Sequence, residues 1–331
     1  MRRAVELTPG LLLTCAIAAV ATLIGSVLPL VGGPVSGIVI GVVLAGLLKP
    51  GDRLQPGIRI ASRRVLQLSV VILGAQLSLS QILHVGAASL PVMLTTLGVC
   101  LLGAYLGGRW LGITANVRTL VGVGTGICGA SAIAAVTSVI GAAGVEVAVA
   151  VSTIFLFNVV AVLVFPLLGH ALGLSQHAFG VFAGTSVNDM SSVVAASRTY
   201  GAAAENYAVV VKLVRILLII PICLGLAALA ARRTRARSSA RVGVVGLVPW
   251  FLVGFVVLAA ANSFGVISAS AHHAVSRTSI LLITVALSAL GLSTDLAGFR
   301  RVGPRPVILG AALWILVSLT SLGVQALVGI G

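Results

Sequence analysis

The chain has 331 residues, of which 59% are hydrophobic and 8% are charged, and its mean hydropathy is +1.20. Soluble domains carry about 25% charged residues, so this composition excludes a soluble domain and favours an integral membrane protein. The net charge of +15 does not indicate a nucleic-acid-binding protein, because no basic stripe with interleaved aromatic residues accompanies it.

Eleven apolar segments follow one another along the chain, most of them long enough to span a bilayer as a helix of about 20 residues. They are predicted at residues 11–29, 34–48, 63–80, 88–108, 118–140, 146–168, 178–198, 206–230, 243–262, 277–293 and 305–330. A membrane β-barrel would instead show alternating strands of about ten residues. The sequence therefore predicts an all-α polytopic membrane protein with about eleven transmembrane helices.

Lysine and arginine are distributed unequally between the predicted connections. With the N-terminus inside, seventeen of the 21 lie on the inside, and Arg198 and Arg277 lie outside. The remaining two, Lys212 and Arg215, fall within a segment. Cytoplasmic loops are enriched in these residues, so we expect a cytoplasmic N-terminus and an external C-terminus.

The segments divide into one extra helix, at residues 1–30, and two groups of five, at residues 31–170 and 171–331. The second segment would cross from outside to inside and the seventh from inside to outside. Two such groups form an inverted repeat, in which discontinuous helices of secondary transporters meet near the middle of the membrane. We therefore expect a single transmembrane transporter domain.

The fifth segment contains a glycine-rich stretch, Gly122-Val-Gly-Thr-Gly-Ile-Cys-Gly-Ala-Ser. Each glycine weakens a helix by up to about 1 kcal/mol relative to alanine, so the stretch favours an interrupted helix. Its freed backbone groups would face a substrate together with Thr125, Cys128 and Ser131, and a half-helix N-terminus there would favour an anion. The alternative is close helix packing through small residues.

The seventh segment contains Asp189, which is flanked by Ser186, Asn188 and Ser192. At 1.5 Å per residue Asp189 lies roughly 16 Å into the segment, near the middle of a ~30 Å hydrocarbon core. A carboxylate at that depth is costly and indicates a substrate or ion pathway. The alternative is a buried polar network that fixes helix packing, and the same two interpretations apply to Asn158 in the sixth segment.

The eighth segment contains Lys212 and Arg215, which share a helix face because they are three residues apart. If the seventh and eighth segments form an antiparallel hairpin, Arg215 lies at nearly the depth of Asp189, and an ion pair between them is geometrically allowed. Buried lysine loses its proton far more readily than arginine, so Lys212 is a candidate proton carrier. Alternatively, Lys212 extends toward the outer interface without a specific role.

The tenth segment ends in Ala289-Leu-Gly-Leu-Ser-Thr-Asp-Leu, with Ser293 and Thr294 as candidate lining residues. It occupies the position in the second group of five that the glycine-rich segment occupies in the first, so we expect these two to form paired broken helices. The histidines and the four cysteines show no metal-ligand spacing, and no nucleophile–histidine–carboxylate set is suggested. We therefore expect no metal, no cofactor and no enzymatic activity.

Several motifs, in order along the chain, resemble one family of bacterial inner-membrane proteins. They are Pro56-Gly-Ile-Arg-Ile-Ala-Ser, the glycine-rich stretch from Gly122, Ser186-Val-Asn-Asp, Val211-Lys-Leu-Val-Arg and the Ala289 motif. Together they resemble the YeiH family, whose members are described as candidate sulfate exporters. The resemblance implies a fold related to cation/proton antiporters and bile-acid transporters, with inverted five-helix repeats and crossed discontinuous helices. Met190 departs from the family, which usually has threonine there, and Glu146 is what is left of an acidic cluster.

From these observations we expect a secondary active transporter of the plasma membrane that exports a small anion such as sulfate or an organosulfonate. Lys212, Arg215 and a helix N-terminus would attract the anion, and Asp189 would couple or gate transport, with H⁺ or Na⁺ as the coupling ion. The alternatives are a sodium- or proton-coupled cation antiporter, a membrane-embedded enzyme and a non-transporting subunit. The sequence leaves the oligomeric state open, and a homodimer is one option.

Overall fold

The computed structural model describes residues 2–27, 32–48, 51, 53–219, 221–223, 225–226, 250–293 and 303–330. Every regular element in that part of the chain is helical. The helices are α1 (Arg2–Val27), α2 (Gly32–Leu48), α3 (Gln55–Ile60), α4 (Leu66–Gly74), α5 (Leu79–Trp110), α6 (Ala115–Gly126), α7 (Ala130–Ile140), α8 (Gly144–Ala171), α9 (Gln176–Ser186), α10 (Met190–Tyr200), α11 (Ala202–Leu217), α12 (Trp250–Ser263), α13 (Ala269–Leu292) and α14 (Pro304–Val328). A π-helical turn, Ala61–Val65, joins α3 to α4.

Six helices in the described residues are long and apolar enough to cross a membrane. They are Leu7–Gly25, Leu79–Trp110, Gly144–Ala171, Ala202–Cys223, Ala271–Leu292 and Pro304–Val328. Shorter apolar helices, Ser36–Leu47 and Trp250–Ser263, lie in the second and ninth predicted segments. This confirms an all-helical chain with several candidate membrane spans, whereas the count of about eleven and the five-helix repeats stay predictions.

The chain forms two compact units that interleave along the sequence. The first unit is Met1–Leu83, Val194–Ala202 and Trp250–Ala297, and the second is His84–Val193, Ala203–Pro249 and Gly298–Gly331. The predicted boundaries at residues 30 and 170 describe a different division, by sequence repeat rather than by compactness, and they stay predictions.

The first unit is held together where glycines let helix backbones touch. A Cβ placed on Gly41 of α2 would lie 2.9 Å from the Cα of Gly291 in α13, and one on Gly57 of α3 would lie 2.7 Å from the Cα of Gly10 in α1. Real Cβ atoms do not approach that closely, so only glycine fits at these crossings. The high glycine content therefore reflects close packing in this unit, as in other membrane proteins.

The second unit packs α9 against α11 and α14. A Cβ on Gly184 would lie 2.8 Å from the Cβ of Val211, so α9 and α11 approach closely at this point. On the other side, Phe165 of α8 contacts Phe182 of α9 at 4.7 Å between ring centroids and stacks on Trp314 of α14 at 5.0 Å. These aromatic contacts add to the burial of apolar surface and fix α9 between its neighbours.

The fifth predicted segment, α6 and α7, returns to the side on which it begins. Glu146, in the first turn of α8, accepts one hydrogen bond from Asn116 Nδ2 at 2.8 Å and another from Ala143 N at 2.9 Å. Since Asn116 begins α6 and Ala143 follows α7, the two ends of the segment lie side by side. Its arms of 12 and 11 residues, each about 17 Å long, form a helical hairpin. We call residues 115–140 the first hairpin and residues 127–129 its tip.

The seventh predicted segment, α9 and α10, returns in the same way. The side chain of Gln176, at the start of α9, accepts hydrogen bonds from Ala203 N at 3.0 Å and Ala204 N at 3.3 Å, at the start of α11. The 11-residue helices α9 and α10 therefore carry the chain out and back. We call residues 176–200 the second hairpin and residues 187–189 its tip.

The helix α8 joins the two hairpins and sets their directions. It starts beside the base of the first hairpin and ends at Ala171, shortly before the second hairpin begins. Its 28 residues span about 42 Å, so the hairpins enter from opposite ends of α8. The structure thus differs from the expectation that both segments cross the membrane. About 23 apolar residues look alike in sequence whether they form one span or two half-length arms.

Candidate functional site at the hairpin tips

Both helices that were expected to carry polar site residues are interrupted, and the first interruption depends on Gly129. This residue has φ +67° and ψ −130°, a combination open essentially to glycine alone. The chain leaves α6 at Ile127 and begins α7 at Ala130. The glycine-rich stretch therefore forms the predicted broken helix, and close packing of small residues is not its only role.

The two tips contact each other. A Cβ on Gly129 would lie 3.6 Å from the Cα of Asp189 and 3.7 Å from the carbonyl carbon of Asn188. Gly129, Cys128 and Asn188 are buried, whereas Asp189 is half-buried. The second interruption explains how Asn188 and Asp189 both serve the site, because adjacent residues of a continuous helix would point in different directions.

Lys212 joins the tips by hydrogen bonds to their backbones. Its ammonium nitrogen donates to the carbonyl oxygen of Ile127 at 2.7 Å and to that of Val187 at 2.8 Å. Ile127 and Val187 end α6 and α9, where carbonyl groups lack helical partners and carry partial negative charge. A lysine at this place satisfies both helix ends at once. The alternative in which Lys212 extends outward without a role is wrong, since the side chain is fully buried.

Asn158, in the middle of α8, holds the second tip. Its Oδ1 atom accepts hydrogen bonds from Asn188 N at 3.1 Å and from Asp189 N at 3.3 Å. These amide groups lie where α10 is about to begin and would otherwise be short of partners. Asn158 therefore fixes the backbone of the tip, whatever further role its amide group has.

The carboxylate of Asp189 bonds within its own hairpin. Asp189 Oδ2 accepts a hydrogen bond from Ser191 N at 3.0 Å and a second, short one from the Ser191 hydroxyl. This arrangement is that of an acidic cap at the start of α10, where negative charge is favourable. The described residues record no ion pair between Asp189 and Arg215, although the sequence allowed one.

Arg215 contacts the second hairpin by another route. Its Nη1 atom donates to the carbonyl oxygen of Thr185. The Thr185 hydroxyl lies 2.7 Å from the Ser321 hydroxyl of α14, which in turn accepts a hydrogen bond from Gln325 Nε2 at 3.1 Å. All four residues are buried. A continuous polar chain therefore runs from α11 through α9 to α14.

Several buried polar atoms at this site have no hydrogen-bond partner within the described residues. They are Ser186 Oγ, Asn188 Oδ1, Arg215 Nε and Arg215 Nη2. Leaving such atoms unpaired costs about 1–3 kcal/mol each, and more for a charged group. In a folded protein this cost is tolerated mainly where a water or a ligand completes the set.

The structure gathers most of the predicted site residues in the second unit. Thr125 lies in the last turn of α6 and is buried, Ser192 is buried in α10, and Ser131 is exposed in the first turn of α7. Ser293 is exposed and belongs to the first unit, and Thr294 lies outside the described residues. The helix α13 is continuous from Ala269 to Leu292, so within the described residues the partner of the broken fifth segment is the seventh and not the tenth.

The sequence reasoning did not single out Ile127, Thr185, Val187, Ser321 or Gln325. Two of these contribute only backbone carbonyls, for which side-chain chemistry gives no signal. One signal was present, however. The stretch from Gly124, Gly-Thr-Gly-Ile-Cys-Gly-Ala-Ser-Ala, lines up with Gly-Thr-Ser-Val-Asn-Asp-Met-Ser-Ser from Gly184, with Gly-Thr and one serine in common. That alignment places one tip on the other.

Comparison with known proteins gives a consistent family. A family model described as Conserved hypothetical protein 698 matches residues 9–310. UPF0324 membrane proteins from Streptococcus pyogenes serotype M18 and Streptococcus pneumoniae serotype 4 are each 41% identical, over 331 and 329 residues. Another from Streptococcus mutans serotype c is 40% identical over 333 residues, and each alignment covers 97% of this chain and 97% of the relative. The chain therefore belongs to the UPF0324 family of membrane proteins, which is the YeiH family that its motifs resemble.

Proposed function

We propose that this protein is a secondary active transporter of the bacterial plasma membrane that exports a small anion such as sulfate or an organosulfonate. The observation that carries the proposal is the meeting of two hairpin tips at the buried Lys212. Non-helical backbone at membrane depth is tolerated where it is buried in protein or lines a cavity, and discontinuous helices of this kind form the substrate sites of secondary transporters.

The hairpins and the helices that follow them form the centre of a proposed inverted repeat. The first hairpin with α8 and the second hairpin with α11 have the same order of elements and enter from opposite ends of α8. The matching Gly-Thr pairs at residues 124–125 and 184–185 support a common origin. Inverted repeats allow a fixed site to face either side of the membrane in turn.

The charge distribution at the tips favours an anion. The N-terminal ends of α7 and α10 lie at the tips and carry partial positive charge. The opposite, negative ends of α6 and α9 are neutralised by Lys212. Arg215 adds a second buried cation two positions along the polar chain from the tip. The unpaired buried atoms of Ser186, Asn188 and Arg215 are groups that a polar ligand would complete.

Asp189 is proposed to couple or gate transport, with H⁺ or Na⁺ as the coupling ion. It is the half-buried carboxylate of the second tip, so it is both near the site and open to ion exchange. Lys212 remains a hypothetical proton carrier, and a Lys212→Arg variant that kept full proton-coupled transport would contradict that role. Transport rather than catalysis is proposed because no nucleophile–histidine–carboxylate set is found at the tips within the described residues.

The proposed orientation places the N-terminus in the cytoplasm and the C-terminus outside. Replacing two crossing segments by two returning hairpins leaves each lysine and arginine on the side expected for it, because a hairpin restores the side from which it started. The positive-inside bias therefore supports the same orientation for the revised topology.

The test is a flux assay with the purified full chain in proteoliposomes. Radiolabelled sulfate and organosulfonates are supplied under imposed proton or sodium gradients, and empty liposomes serve as the control. We expect gradient-dependent anion movement. Sodium or proton exchange without anion movement would replace the proposal by the cation antiporter, and no flux under any gradient would favour a non-transporting subunit.

A further inference from the structure

The guanidinium group of Arg215 has one edge committed and one edge free. Nη1 donates to Thr185 O, while Nε and Nη2 have no partner and the side chain is fully buried. In a guanidinium group the N–H bonds of Nε and Nη2 point the same way and form a planar fork. That fork matches the two oxygens of a carboxylate, sulfonate or phosphate group in a bidentate contact.

Lys212, in contrast, has little left to offer a ligand. Two of its three N–H bonds are directed at Ile127 O and Val187 O, and an ammonium group has only three donors. Its part in the site is to hold the tips and to supply positive charge. The group able to recognise an oxyanion by shape is therefore Arg215.

The charges at the tips also limit the charge of the ligand. With Lys212, Arg215 and Asp189 ionised, two cations and one carboxylate leave one net positive charge. Glu205, a further buried carboxylate of α11, lies seven residues before Lys212, about 10 Å along the helix, and has an interaction elsewhere. Since unbalanced buried charge is expensive, a monoanion suits this site better than a dianion.

We propose that Arg215 is the specificity residue of the site and that its free Nε–Nη2 edge binds a singly charged oxyanion, a sulfonate or carboxylate group. This inference rests on the proposed anion transport and narrows its substrate class. It excludes halides, which cannot use a two-oxygen fork, and it ranks sulfate, a dianion, below the monoanions.

The test is ligand-induced thermal stabilisation of the full chain in detergent. Sodium methanesulfonate, acetate, sulfate and chloride are titrated at constant ionic strength, with wild type compared to Arg215→Lys. The Lys variant keeps the charge and loses the fork. Arg118→Lys is the matched control, because Arg118 is a partly exposed arginine that lies over the Tyr105 ring at 5.0 Å, away from the tips.

We expect methanesulfonate and acetate to raise the melting temperature of wild type in a saturable way, sulfate to bind about tenfold more weakly and chloride not to bind. In Arg215→Lys the monoanion affinity should fall about tenfold or more, the effect of losing charge-assisted hydrogen bonds, while Arg118→Lys should bind as wild type does. Should Arg215→Lys fail to fold, the wild-type order of the four anions decides alone.

Three outcomes would overturn the inference. They are unchanged affinity in Arg215→Lys, a preference for sulfate over the monoanions, and binding of chloride equal to that of acetate. Absence of stabilisation by any of the four anions would overturn it as well. The flux assay separates this failure from that of the proposed function, since anion flux that persists in Arg215→Lys leaves transport standing and removes Arg215 from recognition.

Discussion

Lys212 and Ile127 are 85 positions apart in the sequence, yet the ammonium nitrogen of one lies 2.7 Å from the carbonyl oxygen of the other. The same nitrogen holds Val187 of the second tip. One side chain thus closes the C-terminal ends of two half-helices that approach from opposite sides. Stability of the second unit and function at the tips therefore depend on a common residue.

Lys212→Met is expected to destabilise the protein. The substitution keeps an unbranched apolar chain of similar length but leaves two helix-end carbonyl groups without a donor. Charge-assisted hydrogen bonds contribute about 1.5–3 kcal/mol each, so we expect a loss of about 2–4 kcal/mol. Thermal or denaturant unfolding in detergent measures this, and an unchanged unfolding midpoint would show that the bridge does not contribute to stability.

Gly129→Ala is expected to cost more than Gly141→Ala, although both glycines have positive φ. Gly141 has φ +64° and ψ +37°, which is the left-handed region that other residues enter at a cost of about 1–2 kcal/mol. Gly129, with ψ −130°, is in a region closed to residues with a Cβ, where the penalty is about 1–3 kcal/mol or more. Equal unfolding midpoints for the two variants would contradict the assigned tip conformation.

Asp189→Asn is expected to uncouple transport. Asparagine keeps the acceptor for Ser191 N but removes the charge, so anion flux in proteoliposomes should lose its dependence on the imposed gradient. Coupling free energies of 1–3 kcal/mol correspond to roughly 5–150-fold effects. The control is Glu146→Gln, the same chemical change at the base of the first hairpin, and it should leave the gradient dependence intact. Full gradient dependence in Asp189→Asn would exclude this carboxylate from coupling.

The hairpin topology predicts which single cysteines are labelled from the same side. In a background without the four native cysteines, Ala115→Cys and Ala143→Cys should react with an impermeant maleimide from one side of the membrane. Leu172→Cys and Ala202→Cys should react from the other side. All four positions are exposed. Labelling of positions 115 and 143 from opposite sides would restore a crossing fifth segment.

The sequence could predict the polar centre but not the path of the chain through it. Asp189, Lys212 and the glycines around Gly129 stand out because such residues are costly within apolar segments, and the structure brings them together. A hairpin and a single span of the same length share composition and hydropathy, so the return of the fifth and seventh segments becomes visible only in contacts such as Gln176 with Ala203.

The tenth segment shows a second limit. Its position in a five-plus-five scheme suggested that it was the partner of the glycine-rich segment, because the count treated the hairpins as spans. Ser293 instead follows the continuous helix α13 in the first unit. The partner was identifiable by the shared Gly-Thr pairs at Gly124 and Gly184, which is a short similarity and is easily missed against a background of small residues.

The near-equivalence of the two tips has an energetic consequence. If both halves were identical, the states open to either side of the membrane would have equal free energy, and neither direction of transport would differ from the other. Directionality at zero gradient can therefore arise only from positions at which the halves disagree. At the tips these are Gly129 against Asp189 and Cys128 against Asn188, so exchanging these pairs between hairpins would shift the resting preference of the protein from one face to the other.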